Sequence, residues 1–340
     1  MNDRMPLRYR GITWLMALLG FAVMAISIWG CAAGQRPPES GKAPAAGQEG
    51  KDDRLLVVTT IFPYYDFVRQ IAGDRVKLKL VVPAGMDSHS FEPTPADMIA
   101  MQEADVLICN GGEMEQWVEK VLGSLDTSHM KVLTMMDYVD VVEEEHVEGM
   151  EEEEHRHEDG FEMHIEYDEH IWTSPVNARA IVKIISQTLS EAAPREKSRF
   201  EDNTQAYLKV LKELDSQFRQ VVNQGRLHMI VVADKFPFRY FADEYGLSYR
   251  AAFSGCSGDT EPSARTIAYL IDKVKEDRIP AVYYLELSSH RTAEIIQEET
   301  GAMPLLLHSC HNVTRKQFDE GVTYLQLMKQ NVENLRYGLE

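Results

Sequence analysis

Beyond residue 54, short β-branched runs alternate with stretches whose apolar residues recur at helical spacing. The predicted strands are Leu55–Thr60, Lys77–Val82, Val106–Cys109, Lys131–Thr134, Met229–Ala233, Leu247–Ala252, Ala281–Leu285 and Pro304–Leu307. The predicted helices are Tyr64–Ala72, Thr94–Glu103, Glu113–Gly123, Val176–Leu189, 196–223, Arg239–Tyr245, Ala264–Asp277, Arg291–Thr300 and Phe318–Tyr337. This alternation predicts βαβ units, in which parallel sheets are covered on both faces by helices.

The helix predicted over 196–223 separates two such alternating runs. At ~1.5 Å per residue it would be ~40 Å long, which is enough to run the height of two lobes. The sequence therefore predicts an α/β protein of two lobes, each with a parallel β-sheet flanked by helices, joined by one long connecting helix. The predicted segments are a signal peptide at 1–30, a lipid-anchor tether at 31–54, an N-terminal α/β lobe at 55–195, the connecting helix at 196–224 and a C-terminal α/β lobe at 225–340.

The first thirty residues have the pattern of an export signal. Three arginines lie among the first ten residues, an apolar run covers 12–29, and small residues surround Cys31. The sequence around Cys31 resembles the bacterial lipobox, in which the cysteine is acylated and becomes the mature N-terminus. The apolar run is also long enough to span a bilayer as an uncleaved anchor. Both alternatives predict that the folded body lies outside the cytoplasmic membrane, and the Pro- and Gly-containing residues 35–53 form a flexible tether.

Negative charge is concentrated in one segment. The formal charge of the chain is −19, and residues 143–169 contain fourteen carboxylates against one arginine. The same segment holds four histidines, His146, His155, His157 and His164. It is too charged to pack, so it is either a solvated spacer or a weak zinc collector. The chain has no basic stripe, which excludes a nucleic-acid-binding protein.

Candidate metal ligands follow several predicted strands. In open α/β sheets, ligands bind outside the carboxyl ends of the strands. Polar residues at such positions, or just before a helix, are His89, His170, Asp234, His308 and His311. Each alone is also explained by a solvated loop or a helix cap, but a nitrogen-rich set suits zinc better than calcium, magnesium or manganese. Asp168 and Glu169 stand beside His170, where they can orient its ring.

Three cysteines follow Cys31. Cys109 ends an apolar run and is predicted to be a buried, small hydrophobic residue. Cys256 and Cys310 both lie in polar, turn-like surroundings. Outside the cytoplasm these two either form a disulfide or remain free thiols, and the sequence leaves both alternatives open.

Four segments carry a resemblance to a known family. They read TTIFPYYDFVRQIAGDRV, VVPAGMDSHSFEPTPADM, ADVLICNGGEMEQWVEKV and DEHIWTSPVNARAIV. They resemble the zinc and manganese solute-binding proteins of bacterial ABC importers, over nearly all of the chain after the tether. The resemblance implies that His89 and His170 are the first two metal ligands. It also implies that the acidic, histidine-rich segment between them corresponds to the loop of the zinc-binding members.

In the second lobe the chain departs from the pattern of that family. The family has a histidine or glutamate where this chain has Lys235, and because lysine is a poor ligand, Asp234 is the nearest substitute. The fourth ligand of the family falls at His308 or His311, of which His311 is favoured. Glu286 matches a glutamate that the family also carries and is the remaining candidate.

Together these features predict a monomeric receptor, not an enzyme, that captures Zn²⁺ and delivers it to the membrane permease of an ABC importer. The receptor would be held by its lipid anchor at the extracytoplasmic face of the cytoplasmic membrane. Mn²⁺ is the alternative ion, and a surface adhesin or zinc-storage lipoprotein of the same fold is the alternative function. A metallohydrolase would need an open zinc position and a general base, and the sequence shows no dedicated base.

Overall fold

Two parallel four-stranded sheets form the frame of the protein. The computed structural model describes residues 52–151, 166–255 and 261–340. The strands are β1 Leu56–Thr59, β2 Lys77–Leu80, β3 Val106–Cys109, β4 Lys131–Thr134, β5 Met229–Val232, β6 Ser248–Ala251, β7 Ala281–Tyr284 and β8 Met303–Leu306. Their order is β2-β1-β3-β4 in the first sheet and β6-β5-β7-β8 in the second. The eight predicted strands are confirmed, with bounds that differ by at most two residues.

Helices connect the strands and follow the predicted order. They are α1 Phe62–Ala72, α2 Pro95–Gln102, α3 Gln116–Leu122, α4 Pro175–Ala192, α5 Lys197–Gln224, α6 Arg239–Tyr245, α7 Ala264–Asp277, α8 Arg291–Thr300, α9 Arg315–Asp319 and α10 Tyr324–Leu339. In each sheet, the first strand along the chain lies between the second and the third. The first crossover therefore leads to one side of that strand and the next crossover leads to the other side. A crevice at such a switch point is the usual ligand site of open α/β sheets.

The C-terminal helix predicted over 318–337 is wrong, because this stretch contains two helices. α9 ends at Asp319, and Gly321 then adopts a φ of 73°, a conformation that favours glycine. α10 begins after Thr323, whose hydroxyl accepts the Gln326 N–H while the Gln326 side chain accepts the Thr323 N–H. This reciprocal capping box fixes a new helix start within the apolar pattern.

The long helix α5 packs along a core that contains residues from both sheets. Val57 of β1, Ile230 of β5 and Leu211 of α5 belong to the same buried cluster. Seven of the eight buried residues of α5 recur every three or four residues and lie on one face: Phe200, Thr204, Tyr207, Leu211, Leu214, Phe218 and Val221. The predicted connecting helix is therefore present, and its apolar stripe is buried in the core that the two sheets share.

Several predicted features lie outside the described residues. They are the leader, Cys31, most of the tether, Cys256, and His155, His157 and His164 of the acidic segment. Within the described part of the chain, no helix has the length and apolar character needed to cross a membrane.

Candidate metal centre

Three histidines from separate loops meet between the two sheets. His89 lies in the loop that follows β2, His170 lies just before α4, and His311 follows β8. One possible ligand nitrogen from each ring lies within 4.8 Å of the others. The ring centroids form a nearly equilateral triangle, 6.3 Å between His89 and His170, 5.9 Å between His89 and His311, and 6.0 Å between His170 and His311. Such a triangle of nitrogens suits one small ion.

The loop that carries His89 is tied to the loop that carries His311. The Asn312 amide donates to the carbonyl oxygens of Pro83 at 2.8 Å and Met86 at 2.7 Å. The buried Ser88 hydroxyl also contacts Nε2 of His311. Because these contacts join residues more than 220 positions apart, the first-sheet and second-sheet parts of the site are positioned together.

His170 is oriented by the carboxylate of Asp168. Oδ1 of Asp168 accepts the His170 backbone N–H at 2.8 Å and lies 3.3 Å from Nδ1 of the ring. This contact leaves Nε2 as the nitrogen that can bind a metal, which is the usual arrangement around a ligand histidine. Glu169 does not act in this way: its carboxylate accepts the backbone N–H groups of Glu113 and Met114. The predicted orienting role is confirmed for Asp168 and is wrong for Glu169.

Trp172 packs against two of the three histidines. Its ring centroid lies 5.5 Å from that of His170 and 5.4 Å from that of His311, and the residue is fully buried. Its indole N–H donates to the carbonyl oxygen of Ser309 at 2.8 Å, and its own carbonyl accepts the Tyr324 hydroxyl at 2.8 Å. The indole therefore fixes the distance between a histidine of the first lobe and one of the second.

The other second-lobe candidates bind one another and not the cluster. The carboxylate of Glu286 accepts the Ser309 N–H at 2.8 Å and also the Ser309 hydroxyl. Nδ1 of His308 accepts the Cys310 N–H at 2.9 Å and lies 3.3 Å from Glu286 Oε1. Both His308 and Glu286 are buried, and neither belongs to the group of ligand atoms that meets within the described residues. Their hydrogen bonds shape the loop that presents His311.

Asp234 lies on the wall of the site but outside the histidine triangle. It follows β5, and its Oδ1 accepts the Lys235 N–H at 2.9 Å. Burial raises the pKa of Asp234, although its hydrogen bonds to Lys235, Ser288 and Leu285 favour the charged form. Among the described residues, the structure thus brings together three of the four predicted principal ligands and leaves this carboxylate apart.

The accessory candidates take no part in the described cluster. His146 is described and lies outside the three-histidine group. Cys310 is buried, and its Sγ lies 3.8 Å from the His308 carbonyl oxygen. Cys256 falls outside the described residues, so the disulfide stays a prediction. Cys109 is buried in an apolar cluster, which confirms its predicted packing role.

The pKa values of the three imidazoles shift in different directions. Burial and the charges of His89 and His170 lower the pKa of His311 to about 3. Burial and the charge of His170 lower the pKa of His89 to about 4. Burial also disfavours the charged form of His170, but the Asp168 carboxylate outweighs this effect, and the pKa of His170 is raised. Two of the three rings are therefore neutral, as metal binding requires, well below neutral pH.

The triangle lies in a cleft of about 370 Å³ whose walls come from both halves of the chain. Asp87 lines it from the His89 loop, while Asp234, Lys235, Glu286 and His290 line it from the second sheet. Three imidazole nitrogens with an accessible fourth side suit Zn²⁺, which takes four ligands in a tetrahedron. Calcium and magnesium prefer shells of oxygen atoms.

Sequence reasoning missed the residues that position these histidines. Ser88, Trp172 and Asn312 all make contacts between the loops of the two sheets. Ser88 and Asn312 directly flank His89 and His311, and Trp172 lies two positions after His170. Their closeness in sequence to the histidines was the available signal, but the partner of each lies more than 130 residues away.

Comparisons with known proteins agree with this geometry. The zinc-binding lipoprotein AdcA of Streptococcus pneumoniae is 34% identical over 292 residues, which are 86% of this chain and 57% of the relative. This chain therefore spans little more than half the length of that relative. The high-affinity zinc uptake system protein ZnuA of Bacillus subtilis is 32% identical over 86% of this chain and 89% of the relative.

A solved structure shares the two-lobe fold. The Zn(II)-bound ZnuA-like domain of Streptococcus pneumoniae AdcA superimposes with a TM-score of 0.69 at 30% identity, over 84% of this chain and 99% of that domain. The family model for ZnuA, the periplasmic component A of a zinc-uptake complex, matches residues 57–338. This match covers most of the chain, and the chain belongs to that family of metal-binding receptors.

Proposed function

We propose that this protein is an extracytoplasmic receptor that binds Zn²⁺ through His89, His170 and His311 and delivers the ion to an ABC importer. The observation that carries the proposal is the meeting of these three histidines, from loops of both sheets, within 4.8 Å of one another. Membership of a zinc-uptake family supports the same conclusion.

Zinc is favoured over manganese because of the donor set. The cluster holds three imidazoles and, among the residues that the structure describes, no carboxylate within the same group. Imidazole nitrogens suit zinc, whereas manganese favours carboxylate, carbonyl and water oxygens. The fourth position is left to water, and Asp234 lies on the wall of the cleft outside the triangle.

Capture and release, without catalysis, is the mechanism that we propose. Asp168 holds His170, and Trp172 and Ser88 hold His311, so these two rings are arranged before the ion arrives. Such preorganisation lowers the cost of binding. The lipidated Cys31 would keep the receptor at the extracytoplasmic face of the membrane as a monomer, beside the permease that accepts the ion.

The test is metal analysis and competitive zinc titration of the purified protein, compared with His170→Ala and His311→Ala. The proposal expects one tightly bound zinc ion in the wild type and loss of tight binding in both variants. If the wild type bound no zinc tightly, the receptor function would be wrong. Tight binding in a protein whose deletion leaves zinc uptake by the cell unchanged would instead favour storage or adhesion.

A further inference from the structure

Among the described residues, one lysine side chain lies in the metal cleft without a partner. Lys235 lies three residues after the end of β5 and lines the same cleft as the three histidines. The residue is half-buried, and its backbone N–H is bonded to Asp234. In the described part of the chain, its ammonium makes no ion pair within 4.0 Å and no hydrogen bond, although most buried or half-buried charges are paired.

The charge of this ammonium reaches groups on both sides of the cleft. On the first-lobe side, His89 and the carboxylate of Asp87 line the same cleft as Lys235. In its own lobe, Lys235 directly follows Asp234 in the sequence and favours the charged form of that carboxylate.

A zinc ion would bring two further positive charges into this space. Three neutral imidazoles donate electron pairs but contribute no negative charge, so the ligand set does not neutralise the ion. The carboxylates of Asp87 and Asp234 supply negative charge, and both line the same cleft as Lys235. The ammonium and the zinc ion therefore compete for the same two carboxylates and repel each other.

We propose that Lys235 is a built-in competing cation, which weakens zinc binding at the three-histidine site and so favours release of the ion. The inference rests on the proposed zinc-binding function and adds a residue that sets the affinity of the site. A lysine suits this role because its flexible stem can carry the ammonium away from the ion without disturbing the backbone.

A different role for Lys235 would have the opposite effect on affinity. If the amine lost its proton and bound zinc directly, removal of the side chain would weaken binding. Replacement by arginine would weaken it as well, because a guanidinium stays protonated and offers no lone pair. The two roles are therefore distinguished by the sign of the change and by the behaviour of the arginine variant.

The experiment compares zinc affinity, by competition with a chelating dye, in wild type, Lys235→Met and Lys235→Arg. Methionine keeps an unbranched stem of similar length and removes the charge. The matched control is Lys197→Met, because Lys197 is an exposed lysine on α5 that pairs with Glu201 and lies outside the cleft. Thermal melting of each metal-free variant checks that the fold is retained.

We expect Lys235→Met to tighten zinc binding about tenfold, while Lys235→Arg and Lys197→Met stay within about threefold of wild type. Added salt should reduce the difference between wild type and Lys235→Met, because it screens the repulsion. Unchanged or weaker binding by a folded Lys235→Met protein would overturn the inference while leaving the receptor function intact. If the wild type itself bound no zinc tightly, both the inference about Lys235 and the proposed receptor function would be wrong.

Discussion

The two lobes contribute to the three-histidine cluster in different ways. In the first lobe, His89 and His170 both belong to the cluster, and neighbouring carboxylates contact their backbone or ring: Asp87 for His89 and Asp168 for His170. In the second lobe, one of the four polar candidates that the structure describes, His311, reaches the cluster.

The difference shows that a polar side chain at the end of a strand is available as a ligand only if it is not already hydrogen-bonded to the backbone of its own loop. Glu286 and His308 follow the strands β7 and β8 as closely as a ligand should, but both bind the backbone of residues 309–310. These hydrogen bonds hold Ser309, whose carbonyl receives the Trp172 indole N–H. In the second lobe, Glu286 and His308 thus position His311.

The largest expected effect on zinc affinity distinguishes the role of His311 from that of His308. His311→Ala removes a ligand, so zinc affinity should fall by more than about 100-fold, since loss of a residue that merely orients a ligand already costs ~10–100-fold. His308→Ala should keep one tight zinc ion and lower the free energy of unfolding by ~1–3 kcal/mol, because it leaves buried hydrogen-bonding groups unpaired. Zinc titration and chemical denaturation of both variants measure the two effects, and a reversed result would exchange the roles of the two histidines.

The next effect concerns the residue that orients His170. Asp168→Asn should weaken zinc binding by ~10–100-fold, because the ring loses the carboxylate that fixes its orientation and raises its basicity. Asp319→Asn serves as a control, since Asp319 is exposed and pairs with Arg315 on α9, away from the cleft. Equal affinities of the two variants, measured by competitive titration, would show that Asp168 does not support the ligand.

The pH dependence of zinc affinity tests the different protonation of the three rings. Between about pH 5 and 6.5, His89 and His311 are neutral because their pKa values are lowered to about 4 and 3, whereas His170 is protonated because its pKa is raised. Zinc must displace a proton only from His170, so affinity should fall about tenfold for each pH unit as the pH decreases in this range. Calorimetry in buffers of different ionisation enthalpy counts the protons, and release of two or three per zinc ion would contradict this account.

The smallest effect is expected at Asp234, which lines the cleft outside the triangle. Asp234→Asn should weaken zinc binding by less than about tenfold, because the charge acts through space and not by direct coordination. The zinc affinity of Asp234→Asn should be compared with that of Asp168→Asn by the same competitive titration. A loss from Asp234→Asn as large as that from His311→Ala would make Asp234 the fourth ligand.

The fold was largely predictable because the apolar pattern alone distinguishes strands from helices along this chain. All eight strands and the long helix α5 lie at the predicted positions. The break between α9 and α10 was missed because Val322, Leu325 and Met328 continue an apolar pattern across it. A positive φ at Gly321 and the side-chain cap at Thr323 override that pattern, and periodicity does not report either feature.

The site was predictable in its first half and less so in its second. The resemblance predicted His89 and His170 as ligands because they lie in segments specific to one family, and the structure brings the two rings together. Nothing in the order LHSCHN tells which histidine points into the cleft. That choice depends on Asn331, whose amide binds both the N–H and the carbonyl of His308, and on Ser88, which contacts His311. Contacts between residues so distant in sequence become visible only in the folded protein.

The central claim is that three imidazoles from two lobes bind one zinc ion, and X-ray absorption of the zinc-loaded protein tests it most directly. We expect three imidazole nitrogens at ~2.0–2.1 Å and one further nitrogen or oxygen atom, with a tetrahedral shell. In His311→Ala the imidazole contribution should fall from three to two. A sulfur atom at ~2.3 Å, or a shell made mainly of oxygen atoms, would contradict the three-histidine site.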